Sequence, residues 1–473
     1  VVALLVLGAG LGLRDPWPAD EPRFALVARH MVESGDWLFP HRGTELYSDK
    51  PPMLMWFEAA SYLLFRDWRI AFLLPSLLAA LGTLWCVYDL GRRLWTRKAG
   101  LYAAWALLFA FQFAYQSKKA QIDPLVAFYI TLANYGLLRH LLTGGDWRMW
   151  ALGWFAAGLG TITKGVGAVA LLMVLPAAVL SMRGWPEVRV QARDPKFWLG
   201  PLAFVAAVSL WLVPMVIAAL GHPNPEYRAY LDDILFRQTA GRYSKSWAHQ
   251  QPLWYFLNVM LTVWMPVTLA FFWALPAWRT RLRRRDARYA LPLAWWVLIL
   301  VFFSIPSGKR DMYILPALPM VCLALGPLLP GIVRKLWAKR VAFGFAAIFG
   351  ALLLIAGLAM WFGDPKFESR LMTDRGFTDG GRAIIATVIA MGAWMLAAAF
   401  WHRTRNGVAG MLWALGGLWV LYGVVAAPLL NPSSSARGLM TTVGERIGPE
   451  AELGLVAWRE QNLLMADRPA ATF

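Results

Sequence analysis

The sequence predicts an all-α protein that crosses a membrane many times, and three observations carry that expectation. Hydrophobic residues make up 59% of the 473 positions and charged residues only 16%, whereas soluble domains sit near about 45–50% apolar and about 25% charged. Apolar runs close to the roughly 20 residues that span a bilayer recur along nearly the whole chain. Nearly half of the 46 Lys and Arg fall in six short bends between those runs.

Hydropathy outlines about thirteen spans, near 1–13, 69–90, 99–116, 123–138, 149–163, 166–182, 197–220, 253–278, 289–305, 312–329, 341–362, 383–401 and 408–427. The first run, VVALLVLGAGLGL, reads as the remnant of a first span rather than as a signal peptide. The basic bends read GRRLWTRK, RHLLTGGDWR, RGWPEVRVQARDPK, RTRLRRRDAR, RKLWAKR and HRTRNG. Positive charge marks the cytoplasmic side. The loops at 14–68 and 221–252, the turns near 118–123 and 306–311, and the tail from 428 are therefore expected to face outward. Residues 1–427 form the membrane domain in this reading, and 428–473 the start of a curtailed soluble outer domain. The net charge of +18 fits anionic headgroups or phosphate-bearing substrates better than nucleic acid, because the basic residues are dispersed among apolar spans. Cys86 and Cys322 both lie inside apolar runs, which leaves no disulfide framework to read.

Three stretches of the outer loops predict short helices lying in the interface. Residues 20–34 carry Asp20 as N-cap, Pro22 in the first turn and Gly35 just past the end. Phe24, Val27, Ala28 and Met31 recur at i, i+3, i+4, i+7, a stripe expected to rest on lipid. The second candidate is PPMLMWFEAASYLLF at 51–65, and the third surrounds YRAYLDDILF.

Charged residues gather at the same outer surface. Asp20, Glu21 and Arg23 open the first interfacial helix, and YSDKPP places Tyr47, Asp49 and Lys50 before the second. KKAQIDP contributes Lys118, Lys119 and Asp123, and TITKG contributes Lys164. RQTAGRYSKSWAHQQPLWYF adds Arg237, Arg242, Lys245 and His249, while SGKRDMYILPALP adds Lys309, Arg310 and Tyr313. Singly, each has an ordinary explanation: Asp20 and Asp123 as helix caps, the cations as headgroup anchors. Many ionisable groups at one membrane surface point instead to a site. No phosphate-cradling glycine loop, zinc-spaced His cluster or nucleophile elbow accompanies them. Cations and carboxylates with lipid access suit transfer of a group from a membrane-anchored phosphate, whose charge the cations neutralise as it leaves. A transporter would hold its polar groups near the bilayer midplane in paired repeats, and no repeat halves are visible.

ADEPRFALVARHMVESGDWLFP, YSDKPPMLMWF, GRYSKSWAHQQPLWYF and SGKRDMYILPALP together resemble the GT-C-fold glycosyltransferases of the protein O-mannosyltransferase-like family. Within it the chain is most similar to the bacterial 4-amino-4-deoxy-L-arabinose lipid A transferases. The resemblance covers about residues 1–330. It implies an inverting transfer of a sugar from undecaprenyl phosphate to lipid A at the periplasmic face of the bacterial inner membrane, by a monomer that binds membrane lipids and no nucleic acid. A related transferase acting on protein or another polymer is the alternative. The resemblance assigns catalysis to Asp20, Glu21 and Asp123, and lipid-phosphate contacts to Arg23, Lys50, Lys309 and Arg310; the gathering of polar residues at the outer surface adds Tyr47, Lys164, Arg242 and Tyr313 to the expected phosphate contacts. It names no certain cofactor; a divalent metal near Asp49 or His249 stays open, without ligand spacing to support it.

Overall fold

The computed structural model describes residues 1–235, 250–363, 377 and 380–473. Among them, eight helices are long and apolar enough to cross a membrane: Trp68–Leu94, Ile122–Leu142, Gly165–Met182, Pro195–Gly221, Ala287–Ser304, Leu336–Phe362, Arg382–His402 and Thr404–Ser434. Tyr255–Val263 and Val267–Arg283 form a ninth span if the two halves, bent by 97°, are counted together. The other four expected spans are short or interrupted. The first is a helix of only seven residues, Val2–Gly8 (α1). The run at 99–116 breaks at Ala110, whose extended backbone (ψ 126°) separates Arg97–Phe109 from Phe111–Gln116. Phe111 N–H donates across to the Met265 carbonyl at 2.9 Å, so the break is filled by a neighbouring segment of the same chain. Trp147–Thr161 has 15 residues, and Asp311–Leu325 starts as a 3₁₀ turn. Hydropathy counts apolar residues and does not register such breaks.

The apolar surface divides as a bilayer solvent requires. Pro195–Gly221 and Leu336–Phe362 leave Leu202, Ile217, Ile348 and Ile355 exposed, while Ile122–Leu142 is largely enclosed. The Ile122–Leu142 and Trp147–Thr161 helices form an antiparallel hairpin through a turn in which Gly144 and Gly145 have positive φ. They approach so closely at Gly136 that an added Cβ would lie 2.5 Å from the Met149 carbonyl oxygen. A 21-residue helix rises about 31 Å, so this hairpin carries the chain across and back. It returns Lys164 to the end where Asp123 begins.

The first outer loop folds over that end. Glu21–Ser34 (α2) ends as its sequence predicts: Gly35 is left-handed (φ 74°), and its N–H bonds the Met31 carbonyl at 3.1 Å. Two short strands follow, His41–Arg42 (β1) and Glu45–Leu46 (β2), paired antiparallel with Arg42 opposite Glu45. Met53–Phe65 (α3) then packs against α2. The stripe expected to rest on lipid does not: Phe24, Val27, Ala28 and Met31 are buried in protein, against Tyr47, Leu54, Ile122 and Leu125. A lipid-facing stripe and a core-facing stripe share one periodicity, which is why the sequence could not separate them.

After the last span the chain forms an Arg437–Ile447 helix and then two parallel strands, Leu453–Leu455 (β3) and Ala470–Thr472 (β4), joined through a Glu460–Met465 helix. This segment lies on the first outer loop rather than apart from it.

Candidate active site

Asp20 sits immediately before α2 but does not act as its cap. Its backbone is helical (φ −99°, ψ −36°), and its carboxylate bonds none of the helix's leading N–H groups. It accepts from Gln121 Nε2 at 3.1 Å and faces the Arg310 guanidinium at 3.7 Å. Asp20 is partly open to solvent, as is Arg310.

Two residues beyond Gln121, Asp123 opens the Ile122–Leu142 helix, where the helix dipole favours a carboxylate. Its Oδ1 accepts from Lys164 Nζ at 2.7 Å. That ammonium stands 5.0 Å over the Tyr313 ring, a cation–π contact. Tyr313 lies one turn beyond Arg310 on Asp311–Ala317, which is tethered by the Gln112 amide donating to the Asp311 carbonyl at 2.7 Å. Four separated segments thus converge: the start of α2, the 121–123 turn, the bend at Lys164 and the 310–313 turn. All are turns that the charge asymmetry assigned to the outer side.

Glu21, the second expected catalytic carboxylate, is placed differently from Asp20. It is buried, and both oxygens are engaged. Arg14 donates twice, at 2.5 and 2.7 Å, and the N–H groups of Trp17 and Ala120 donate at 2.8 and 3.0 Å. Arg14 also donates to the Lys118 carbonyl at 3.0 Å and lies over the Trp17 ring. These bonds lock the start of α2 onto the 118–121 turn, which places Asp20 beside Gln121. Lys118 is also structural: its Nζ donates to the Leu7 and Ala9 carbonyls at 3.2 and 2.8 Å. Burial, with Arg14 nearby, pulls its ammonium down to about 7.

The expected phosphate contacts divide. Lys164, Arg310 and Tyr313 belong to the cluster above. Lys50 donates to the Asp49 carbonyl at 3.0 Å at the head of α3. Lys309 is buried and donates to the Gln251 carbonyl at 2.9 Å, fixing its own turn against the 250–251 segment. Arg23 Nε is bonded to Glu460 at 2.7 Å, with Tyr47 also against it, so a carboxylate of the chain itself already holds it. Arg242, with Arg237, Lys245 and His249, lies outside the described residues. Among the described residues no three His, Cys, Asp or Glu side chains gather to hold a metal.

Two groups escaped the sequence reading. Asp15 is fully buried and accepts from Arg69 at 3.0 Å, from Arg437 at 2.7 and 2.9 Å, and from Asn431 and Ser435. Burial opposes its charge, yet Arg437, Asn431 and Arg69 hold its carboxyl far below the ordinary range. Glu58 on α3 is also fully enclosed, with neither oxygen bonded in the structure. Burial, and Glu21 nearby, push its carboxyl well above the ordinary value.

The many-span helical fold is that of the GT-C class of membrane glycosyltransferases, and comparison with known proteins places the chain there. Residues 49–213 match the family described as dolichyl-phosphate-mannose-protein mannosyltransferase. The structure resembles ArnT from Cupriavidus metallidurans bound to undecaprenyl phosphate, with a TM-score of 0.78 and 21% identity over 100% of this chain and 84% of that one. An Archaeoglobus fulgidus oligosaccharyltransferase shares the fold more distantly, at a TM-score of 0.56 and 13% identity, covering 100% of this chain and 64% of that one. Among sequences, the undecaprenyl phosphate-alpha-4-amino-4-deoxy-L-arabinose arabinosyl transferase of Pseudomonas aeruginosa is 29% identical over 91% of this chain and 76% of its own length. That of Edwardsiella ictaluri is 30% identical over 82% of this chain and 69% of its own. The chain belongs to this arabinosyl transferase family, and it is an integral membrane protein.

Proposed function

We propose that the protein transfers 4-amino-4-deoxy-L-arabinose from undecaprenyl phosphate to a phosphate group of lipid A, with inversion, at the periplasmic face of the inner membrane. The observation that carries this reading is the convergence of Asp20, Arg310, Asp123, Lys164 and Tyr313 from four separated segments of a chain in this family. In the reaction an acceptor phosphate oxygen bonds to the anomeric carbon while the bond from that carbon to the donor phosphate oxygen breaks. The electron pair leaves with undecaprenyl phosphate. The acceptor is already anionic at neutral pH, so no strong general base is required. Asp20 orients the donor sugar or its amine.

Arg310 and Lys164 stabilise the charge that develops on the departing phosphate. The 3.7 Å separation of Arg310 from Asp20 is longer than a hydrogen bond, so the guanidinium can turn to a phosphate at small cost. Its planar fork suits two phosphate oxygens at once. Glu21, Arg14 and Lys118 bind no substrate in this account; they hold the turns that carry Asp20 and Gln121.

Mass spectrometry of lipid A from cells with and without the protein tests the reading. An aminopentose added to a phosphate only when the protein is present supports it. Unmodified lipid A alongside a glycosylated protein or polymer would move the acceptor to the alternative.

A further inference from the structure

The C-terminal segment grips α2 at the turn that carries Asp20. Arg23 stands three residues after Asp20, on the same side of the helix. Its Nε is bonded at 2.7 Å to Glu460, which lies 437 positions away in sequence. Arg42 reaches the same carboxylate at 3.5 Å and lies over the Trp458 ring. Nearly two turns further along α2, Arg29 donates to the Leu464 carbonyl at 3.3 Å, and the Leu464 side chain packs against Ala25, Phe72, Leu73 and Ala120. Ala120 is the residue whose N–H bonds Glu21. The Glu460–Met465 helix therefore touches both elements whose relative placement brings Asp20 beside Gln121.

From this arrangement we propose that Glu460 is a positioning residue for the transfer reaction: by holding Arg23 it fixes the first turn of α2, and with it the place of Asp20. This assigns Arg23 to the C-terminal segment rather than to the donor phosphate. It gives the soluble segment a direct mechanical hold on the reaction centre, and it rests on the transferase reading above.

Charge exchange tests it, with transfer from undecaprenyl-phosphate aminoarabinose to lipid A measured in purified protein. Arg23→Glu and Glu460→Arg should each lower kcat by about tenfold or more while the donor KM changes by less than about threefold, the signature of a misplaced reacting group. The double exchange should recover most of the lost kcat, because the pair is restored with its signs reversed. A double variant no better than Arg23→Glu would overturn the proposal, since a carboxylate at a phosphate contact cannot be rescued from position 460. So would a loss confined to KM.

A second measurement does not depend on activity. A cysteine pair replacing Asp20 and Gln121, whose side-chain tips lie 3.1 Å apart, should form a crosslink readily with a short bifunctional thiol reagent. Glu460→Gln or Arg23→Glu should slow its formation by about tenfold, and the charge exchange should restore it. Unchanged crosslinking in the single variants would refute the positioning role. Absence of transfer by the wild type would refute the proposed reaction instead, while the crosslink still decides the tie.

Discussion

Asp20 and Glu21 are adjacent in the chain, yet the structure gives them opposite environments. Glu21 is buried and accepts four hydrogen bonds, two of them from one arginine. Asp20 is half open and has one amide donor and one arginine just beyond bonding distance. A saturated carboxylate can hold structure but has no acceptor to offer a substrate, whereas a sparsely bonded one can. The same contrast separates two regions of the molecule. The knot of Arg14, Asp15 and Glu21 is buried, with both carboxylates saturated by donors; in the cluster of Asp20, Asp123, Lys164 and Arg310 only Asp123 is buried, and the other three keep partial access to solvent. Stability should reside in the first region and transfer chemistry in the second.

Breaking the knot should give the largest loss of stability. Glu21→Gln leaves Arg14 buried without its counter-charge, which costs about 3–5 kcal/mol for a buried pair. Thermal unfolding in detergent should show a large drop. Asp15→Ala is expected to cost less, about 1–3 kcal/mol, because Arg69 and Arg437 are partly exposed and can regain water. It should loosen the C-terminal segment, which limited proteolysis would reveal.

Acidification acts on the same contacts by protonation. Burial opposes ionisation of Glu460, but Arg23 and its neighbours hold the carboxyl below its ordinary 4.5. A depressed carboxylate adds stability that is fully present above its unfolded value and is lost as pH falls through the folded one. Protection of residues 437–473 from protease should therefore persist at neutral pH and fail below about 4.5, whereas Glu460→Gln, which has no carboxylate to titrate, should be less protected already at neutral pH and lose this acid step. Glu58 has the opposite sign. Its raised value means the fold holds the neutral acid, so the fold is favoured below the unfolded value and that contribution is lost as pH rises. Glu58→Gln should remove this weakening above about 4.5. The smallest stability effect belongs to the site itself. Arg310→Gln should change unfolding by about 1 kcal/mol or less, because its 3.7 Å pair with Asp20 is partly open to solvent, while greatly reducing transfer.

The membrane class, most spans, the gathering of charged turns at one end, and the α2 terminator at Gly35 were legible because each depends on residues near in sequence. Asp123 and Lys164 were legible as candidates, and the hairpin between them gives the reason they meet. The division of labour between Asp20 and Glu21 was not. It depends on Arg14 and on the Ala120 N–H, which approach only when the loop closes over the bundle. Nothing near Arg23 in sequence signals Glu460, so a basic residue beside a reaction centre reads as a phosphate contact. Ala110 shows the same limit at the scale of a span: the run is apolar throughout, and only the Met265 carbonyl reveals that the helix breaks there.

Asp20 is proposed to serve the reaction and not the helix. One comparison tests it most directly: transfer and thermal unfolding measured on the same preparation of Asp20→Asn. Asparagine keeps the shape and caps a helix about as well as aspartate, and here the side chain makes no cap bond to lose. Unfolding should therefore match the wild type while transfer falls on the order of a hundredfold or more, as when a preorganised charge is removed from a reacting centre. Near-wild-type transfer by a stable Asp20→Asn protein would contradict the claim and return Asp20 to the surface polar groups of the loop.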